Sequence, residues 1–255
     1  MPRDYPDPSL RSALDRTSVE RIEPILTALE ACYGRPINQP HGNVIEELVG
    51  TILSQNTSDL NADRAFQSLR RAFPDWRRLA EASDDEIARA IHSAGLSRQK
   101  APAIRAAVTA LLDAGYPDRT QWLREAPLED ARAWLQSLPG VGPKTAACVL
   151  LFALGRPALP VDTHVYRVSQ RLGLLPPGIS AEAAHQLLES VVPPDDVHRF
   201  HILLIRHGRA VCHARRPACE RCVLTAWCDY YNRQQREGDT HGSSRLGTRP
   251  SERPR

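Results

Sequence analysis

The chain has 255 residues, of which 42% are hydrophobic and 25% charged, and its formal net charge is +3 at pH 7. This length supports one large or two modest domains, and the composition is ordinary for a soluble globular protein. The net charge does not argue for a nucleic-acid ligand, because six Arg and three acidic residues in 233–255 account for all of it. No apolar run is long enough to span a membrane, and the first residues lack the apolar centre of a signal peptide, so we expect a cytoplasmic protein.

The two ends of the chain differ from its centre in composition. Residues 1–16 and 233–255 are rich in Pro, Arg, Ser, Gly and Asp and contain few apolar side chains. Such segments bury too little apolar surface to offset the entropy lost on ordering. We therefore expect a mobile N-terminal tail over 1–16 and a disordered basic C-terminal tail over 233–255.

Helical patterns fill the centre of the chain. In the first, Thr17 and Glu20 have capping-box spacing, apolar residues recur every three and four positions, and Gly34 ends the run. The stretch 83–95 follows the same pattern. Further helices are predicted over 43–55, 60–72, 97–114, 128–137, 143–154, 163–172, 180–191 and 195–210. No run alternates with period two, so the predicted fold class is all-α.

Four of the six cysteines are clustered near the C-terminus. They are Cys212, Cys219, Cys222 and Cys228, with the spacing C-x6-C-x2-C-x5-C. A reducing compartment favours a metal or iron–sulfur site over disulfides, and the spacing alone leaves a zinc knuckle and an iron–sulfur cluster both open. Cys32 and Cys148 lie in apolar helical runs, where we expect buried and inert thiols.

The first gap of the cysteine cluster contains two adjacent arginines, Arg215 and Arg216. A loop held by ligated cysteines would press such side chains onto phosphates. The alternative is an ordinary solvated surface rich in Arg.

A glycine-rich turn, LPGVG at 138–142, directly precedes an apolar helical run. The backbone amides of Gly140, Val141 and Gly142 lie at a helix N-terminus, where they suit an anion such as a DNA phosphate, although such turns are also common structural caps. Lys144 lies just inside the helix. The chain contains 31 Arg and only 2 Lys, the other being Lys100, and lysine is the cation that can lose its proton and act as a nucleophile.

Asp162 precedes a second helical run in LPVDTHVYRV. Aspartate is a good N-cap, and a capping carboxylate is fixed in position. If it faces Lys144, the two side chains form a usable catalytic pair.

These motifs together resemble one known family. LPGVGPKTA, VDTHVYRV and HGRAVC leading into the cysteine spacing are similar to the endonuclease III family of DNA glycosylases, in the helix-hairpin-helix superfamily, over about 17–230. The resemblance implies two helical domains with DNA in the groove between them. A six-helix barrel with the helix-hairpin-helix would cover 39–155, and a cluster domain would combine 17–38 with 156–232. The four cysteines would hold a [4Fe–4S] cluster rather than zinc.

The resemblance also implies a reaction. Lys144 would attack the sugar C1′ of a damaged nucleotide, Asp162 would stabilise positive charge on the sugar, and the resulting Schiff base would permit β-elimination, an AP lyase activity. Gln55 and Leu96 would occupy the gap left by the extruded base. From its pattern alone, Leu96 is equally a core leucine.

The implied substrate is double-stranded DNA that contains an oxidised or reduced pyrimidine or an abasic site, bound by a monomer in the bacterial nucleoid. Next to Gln55 the chain reads Asn-Thr-Ser-Asp where the family pattern is Ala-Thr-Asp, so the accepted base stays open. A glycosylase for mismatched or alkylated bases is the alternative within the superfamily. A helix-hairpin-helix module that binds DNA without catalysis is the alternative from another class.

Overall fold

The computed structural model describes residues 19–243, with side chains described to residue 237. Within this range the chain is helical and contains no strand, which confirms the all-α class. Thirteen α-helices occur in the described residues: α1 (Ile22–Tyr33), α2 (Val44–Ser54), α3 (Asp59–Ala72), α4 (Trp76–Glu81), α5 (Asp84–Ala90), α6 (Ser97–Asp113), α7 (Asp118–Glu125), α8 (Leu128–Gln136), α9 (Pro143–Cys148), α10 (Thr163–Arg171), α11 (Ala181–Val191), α12 (Val197–Ala210) and α13 (Asp229–Ser243).

Local capping explains where several helices begin. Ser83 and Glu86 form the predicted capping box at the start of α5, because each side chain bonds the other residue's backbone amide. Asn43 caps α2 by accepting from the Glu46 amide at 3.1 Å. Helices α4 and α7 were not predicted from the sequence, because they contain too few turns to produce a clear periodic pattern.

The segment predicted as one helix over 143–154 changes its geometry part-way. It is α-helical to Cys148 and then forms a π-helical turn over Val149–Ala153. The carbonyls of Phe152 and Ala153 accept amides from outside the helix, those of His41 at 3.2 Å and Gly42 at 2.9 Å. Such π turns often occur at functional sites.

The buried apolar side chains form two clusters. The first hydrophobic cluster runs from Val44 to Ala158 and is built from α2–α9. The second hydrophobic cluster joins α1 to α10–α12 and to apolar residues as far along as Cys228. Leu151 belongs to the second cluster while its neighbour Leu150 belongs to the first, so the π turn contacts both.

A buried ion pair joins the two clusters. Arg132 on α8 donates to Glu189 on α11 at 2.8 and 2.9 Å, and both side chains are 7% exposed. The Glu189 carboxylate also accepts the backbone amide of Leu159. Because removal of one partner would leave a buried charge uncompensated, this contact holds the two clusters in a defined relative position.

Two expectations from the sequence are wrong. Helix α13 continues to Ser243, so 233–243 is not a disordered tail. Arg, Gln and Glu in this stretch favour helix, and Gln234 Nε2 donates to Tyr230 Oη at 2.8 Å. Cys32 is exposed in the last turn of α1, at the edge of the apolar face and near the end of the helix, whereas Cys148 is buried as expected. The tail predicted over 1–16 and the rest of the C-terminal tail, 244–255, lie outside the described residues.

Candidate active site and cysteine cavity

A cavity of about 270 Å³ lies between the two hydrophobic clusters and contains Lys144 and Asp162 in its wall. We refer to it as the Lys144 cavity. It is lined by Glu47, Gly50, Thr51, Ser54, Lys144, Cys148, Phe152, Asp162, His201, Ile205 and Arg209. The two residues that the sequence motifs indicated for chemistry therefore share one cavity, with Lys144 contributed by α9 and Asp162 by the start of α10.

Lys144 is partly buried in the first turn of α9, where Pro143 occupies the first helical position. Among the described residues, no acceptor lies within hydrogen-bond distance of its Nζ and no carboxylate within ion-pair distance. The amine is thus held near the cavity by its helix and not by a polar partner. It is free to contact a bound molecule.

Asp162 is the N-cap of α10, as the sequence predicts. Its Oδ1 accepts the backbone amides of His164 at 2.9 Å and Val165 at 2.7 Å. Its Oδ2 has no donor within hydrogen-bond distance among the described residues. One oxygen therefore fixes the carboxylate, while the other remains available to a ligand in the cavity.

Glu47 and Thr51, on the α2 wall of the cavity, were not predicted from the sequence. Thr51 Oγ1 donates to Glu47 Oε1 at 3.0 Å, and Glu47 Oε2 lies 3.1 Å from His41 Nε2. The two residues are one helical turn apart, so they share a face of α2. A carboxylate and a hydroxyl four residues apart in a largely apolar helix were the available signal.

His201 on α12 was missed as well. It is 4% exposed, and its Nδ1 donates to the Pro160 carbonyl at 2.7 Å. Burial lowers the pKa of His201 to about 4, against the opposing influence of the Asp162 charge. The imidazole is therefore neutral near pH 7, and its Nε2 is an acceptor.

The glycine-rich turn packs directly against α6. Gly140 has φ +75°, and a Cβ at this position would lie 2.9 Å from Ala103 Cβ, so only glycine fits. Val141 is buried, and its amide donates to the Leu138 carbonyl at 3.2 Å. Gly142 caps α9 in an extended conformation. The turn therefore fixes the position of the Gly142 amide relative to Lys144 in the first turn of α9.

Two loops near α6 contain non-glycine residues in the left-handed region. Leu96 has φ +50° and is 49% exposed, so the interpretation of Leu96 as a core leucine is wrong. Gln55 ends α2 and is partly buried, whereas its neighbour Asn56 is exposed with φ +53°. Asn56 was not predicted as a site residue, although Asn tolerates this conformation better than most other non-glycine residues.

The four clustered cysteines line a second, small cavity of about 20 Å³. Three of the sulfurs accept hydrogen bonds: Arg171 Nη1 lies 3.1 Å from Cys212 Sγ, the Leu224 amide lies 3.4 Å from Cys222 Sγ, and the Tyr231 amide lies 3.4 Å from Cys228 Sγ. Within 19–237, no three His, Cys, Asp or Glu side chains are close enough to hold a single metal ion. Four thiols that surround a cavity, with N–H donors on their sulfurs, fit an iron–sulfur cluster.

Two arginines of α10 hold the loop that follows Cys212. Arg167 donates to the Cys212 carbonyl at 3.0 Å, and Arg171 donates to the carbonyls of His213 at 2.7 Å and Ala214 at 3.1 Å. Arg215 and Arg216, the next two residues, are exposed, and Arg216 has φ +49°. The helix that Asp162 caps therefore also positions the two predicted phosphate-binding arginines.

Two family models match this chain. Residues 49–194, more than half of the chain, match the HhH-GPD superfamily of base excision DNA repair proteins, and 212–228 match the iron–sulfur binding domain of endonuclease III. The chain belongs to this base excision repair superfamily. It is a DNA glycosylase that contains a [4Fe–4S] cluster, and the segment matched by the iron–sulfur model, 212–228, contains all four clustered cysteines.

Curated relatives and solved structures agree with this assignment. Endonuclease III of Synechocystis is 36% identical over 82% of this chain and 92% of its own length, and that of Escherichia coli is 34% identical over 83% and 95%. A trapped endonuclease III–DNA covalent intermediate is similar in structure, with a TM-score of 0.72, 29% identity, and coverage of 85% of this chain and 98% of that chain. A thermostable thymine-DNA glycosylase, 24% identical with a TM-score of 0.68, shares the fold. Among residues 19–243, no helix has the length and hydropathy of a membrane span.

Proposed function

We propose that this glycosylase removes oxidised or reduced pyrimidines from duplex DNA and then cleaves the strand by β-elimination, as a monomer in the nucleoid. The shared cavity of Lys144 and Asp162 is the observation that carries the proposal. A glycosylase that activates water has no need of an unpartnered lysine amine beside its carboxylate. An enzyme that forms an imine requires one.

In the proposed reaction, the neutral Lys144 Nζ attacks C1′ of the extruded nucleotide while the N-glycosidic bond breaks, and the departing base anion takes a proton from water. Asp162 Oδ2 stabilises positive charge on the sugar and takes the proton that the attacking amine releases. Ring opening gives an imine between Nζ and C1′. Loss of a C2′ proton then expels the 3′ phosphate, and water hydrolyses the imine to regenerate the amine.

The DNA contacts are proposed from the same geometry. The amides of Gly140 and Gly142 receive a phosphate at the hairpin, beside the Val141 amide that closes the turn, while Arg215 and Arg216 contact the backbone. Gln55 and Leu96 fill the space that the extruded nucleotide leaves. In the proposed domain division, 39–155 forms the helix-hairpin-helix barrel, and 17–38 with 156–232 forms the cluster domain.

Borohydride trapping tests the proposed nucleophile. The parent protein should form a denaturation-resistant adduct with lesion-containing duplex, and Lys144→Gln should form none. Lys144→Arg retains the positive charge, so it should bind abasic-site DNA within about tenfold of the parent yet give no adduct, because guanidinium stays protonated. Lys100, the only other lysine of the chain, is 5% exposed and donates to two carbonyls, so it does not substitute. An adduct formed by Lys144→Arg would refute the assignment.

A panel of duplexes, each with one lesion, tests the substrate class. The panel contains 5,6-dihydrothymine, 5-hydroxycytosine, a thymine–guanine mismatch, an alkylated purine and a preformed abasic site. We expect release of the two modified pyrimidines and cleavage at the abasic site. Preferred release of the mismatched thymine or the alkylated purine would replace the proposed substrate. Binding without release of any base would indicate a DNA-binding module.

A further inference from the structure

Lys100 is a buried lysine with an unusual set of partners. It lies on α6, is 5% exposed, and its Nζ donates to the Leu53 carbonyl at 2.7 Å and the Ala94 carbonyl at 3.0 Å. No described carboxylate lies within ion-pair distance of it. Burial lowers the pKa of Lys100, because the protonated form loses hydration there. A buried cation without a carboxylate is costly, and most cationic positions of this chain are Arg.

The two carbonyls belong to the ends of two helical segments. Leu53 lies in the last turn of α2, and Ala94 ends the 3-10 turn His92–Ala94. Carbonyls at a helix C-terminus carry partial negative charge and lack partners within the helix. The ammonium of Lys100 therefore supplies both the positive charge and the hydrogen-bond donors that these two carbonyls lack. It also links the end of α2 to the end of the 3-10 turn.

Each linked end leads directly into an exposed left-handed residue. The α2 end is followed by Asn56 with φ +53°, and the 3-10 end is followed by Gly95 and then Leu96 with φ +50°. Only three non-glycine residues of the described chain have positive φ, and these are two of them. A left-handed leucine persists only where surrounding contacts hold it. The Lys100 contact to Ala94 lies two residues before Leu96, and the contact to Leu53 lies three residues before Asn56.

Helix α6 also contacts the glycine-rich turn. Ala103, one turn after Lys100, is the residue that a Cβ at Gly140 would meet at 2.9 Å. The loop at Asn56, the loop at Leu96 and the turn at Gly140 are therefore all positioned from the N-terminal half of α6. Of the two α6 residues that make these contacts, Lys100 and Ala103, only Lys100 carries a charge.

We propose that Lys100 is a positioning residue for base extrusion, which fixes the loops of Asn56 and Leu96 at the spacing that the gap in the DNA duplex requires. This inference rests on the proposed function, since the loops must enter the gap for their spacing to matter. Lys100 acts through the Leu53 and Ala94 carbonyls and does not contact the reacting atoms. Its loss should affect the opening of the duplex and spare the chemistry at a site that already lacks a base.

The test compares two single-turnover rates in the full-length protein with its cluster: release of 5,6-dihydrothymine from duplex, and cleavage at a preformed abasic site. Lys100→Met keeps the apolar stem and removes both hydrogen bonds and the charge. We expect base release to fall by about tenfold or more, and abasic-site cleavage to change by less than about threefold. Lys100→Arg keeps a cation with several donors and should restore part of the base release.

Leu111→Ala is the matched control, because Leu111 is fully buried on the same helix within the first cluster. It should lower the Tm as Lys100→Met does but leave the ratio of the two rates at the parent value. If Lys100→Met does not fold, Lys100→Gln makes the same comparison with a milder change. A Lys100 variant with the parent ratio would overturn the proposal.

A 2-aminopurine placed beside the lesion reports extrusion by fluorescence, independently of bond cleavage. Lys100→Met should slow this fluorescence rise by about tenfold, whereas Leu111→Ala should leave it unchanged. A parent protein that extrudes but releases no pyrimidine would refute the proposed function alone. Equal fluorescence kinetics in the parent and Lys100→Met would refute the role of Lys100 alone.

Discussion

Arg209 and Asp59 form a two-point ion pair at the edge of the Lys144 cavity, with N–O distances of 2.6 and 3.2 Å. Arg209 lies on α12, which packs in the second hydrophobic cluster, and Asp59 begins α3, which packs in the first. The pair therefore crosses the groove in which DNA is expected. Both side chains are more than half exposed, so the pair contributes only about 0–1 kcal/mol to stability.

The first prediction concerns competition between Asp59 and DNA phosphates for Arg209. Asp59→Asn should strengthen nonspecific duplex binding and make the slope of log Kd against log salt steeper by about one, because Arg209 becomes free to contact one more phosphate. Binding titrations at several salt concentrations measure this. Arg209→Gln is the control and should leave the slope near the parent value, because the Arg209 paired with Asp59 does not contact a phosphate in the parent. Weaker binding by Asp59→Asn would show that the carboxylate does not compete with DNA.

The second prediction concerns pH and His201. Because burial lowers the pKa of His201 to about 4 in the folded protein, the unfolded chain binds the proton more tightly. The contribution of His201 to stability is therefore complete above about pH 6.5 and decreases as the pH falls toward 4, by roughly 3 kcal/mol in total. Unfolding free energies of the parent and His201→Gln over this range should converge as the pH falls.

Parallel curves for the parent and His201→Gln would contradict the assignment of a neutral His201.

The third prediction concerns the cysteine cavity. The purified protein should be yellow-brown and contain about four iron atoms per chain. Cys219→Ser should lower both the Tm and the affinity for DNA, because Arg215 and Arg216 lie on a loop that depends on ligation. Iron analysis, thermal unfolding and DNA titration measure the three quantities.

Cys32→Ser is the matched control, since Cys32 is exposed and lies outside the cysteine cavity. It should leave iron content, Tm and affinity at the parent values. If Cys219→Ser loses iron and still binds DNA with parent affinity, the loop is not a phosphate contact.

Motifs in which neighbouring residues act together were readable from the sequence. The Asp162 cap, the capping box at Ser83 and the turn before Lys144 depend on contacts within a few residues, so the sequence specifies them directly. The cysteine spacing and the all-α class could also be predicted, because both depend on patterns of residues close together in the sequence. The helical pattern of apolar residues is continuous over 143–154, so it did not reveal the π turn. The carbonyls of that turn accept the backbone amides of residues 41 and 42, which are distant in the sequence.

Residues that reach the cavity from distant helices could not be predicted. Glu47 and His201 are far apart in the chain and meet only because α2 and α12 pack on opposite sides of the groove. Lys100 likewise reads as an ordinary helical lysine until its two carbonyl partners are known. Asn56 was missed because its exposure and φ depend on how α2 ends.

The fourth prediction separates the residues of the two loops. Leu96→Ala should reduce base release from duplex more than cleavage at a preformed abasic site, because the abasic site has no base to extrude. Its Tm should stay near that of the parent, since Leu96 is half exposed. Gln55→Ala and Asn56→Ala should be compared in the same assay. A larger loss for Asn56→Ala would transfer the gap-filling role from Gln55 to its exposed neighbour.

Leu60, another exposed apolar residue in the first turn of α3, controls for the removal of surface apolar area. Leu60→Ala should leave the ratio of the two rates unchanged. Equal losses of both activities in Leu96→Ala, with a lower Tm, would indicate a folding defect.

The final prediction separates the two roles of Asp162, as helix cap and as catalytic carboxylate. Asp162→Asn keeps a side-chain oxygen for the amides of His164 and Val165, and Asn caps a helix about as well as Asp. Its unfolding free energy should therefore stay within about 0.5 kcal/mol of the parent. Base release should nevertheless fall by about a hundredfold or more, because the uncharged amide neither stabilises the sugar cation nor accepts a proton.

Asp162→Ala removes both roles and should lose about 1 kcal/mol of stability in addition to activity. Ser180→Ala is the matched control, because it removes the N-cap of α11, which lies away from the cavity. It should lower the stability by a similar amount and leave base release at the parent rate. Chemical denaturation and single-turnover base release measure the two quantities for each variant. If Asp162→Asn released base at the parent rate, the carboxylate would be a cap alone, and the proposed charge stabilisation would have to come from Glu47, the other carboxylate in the wall of the Lys144 cavity.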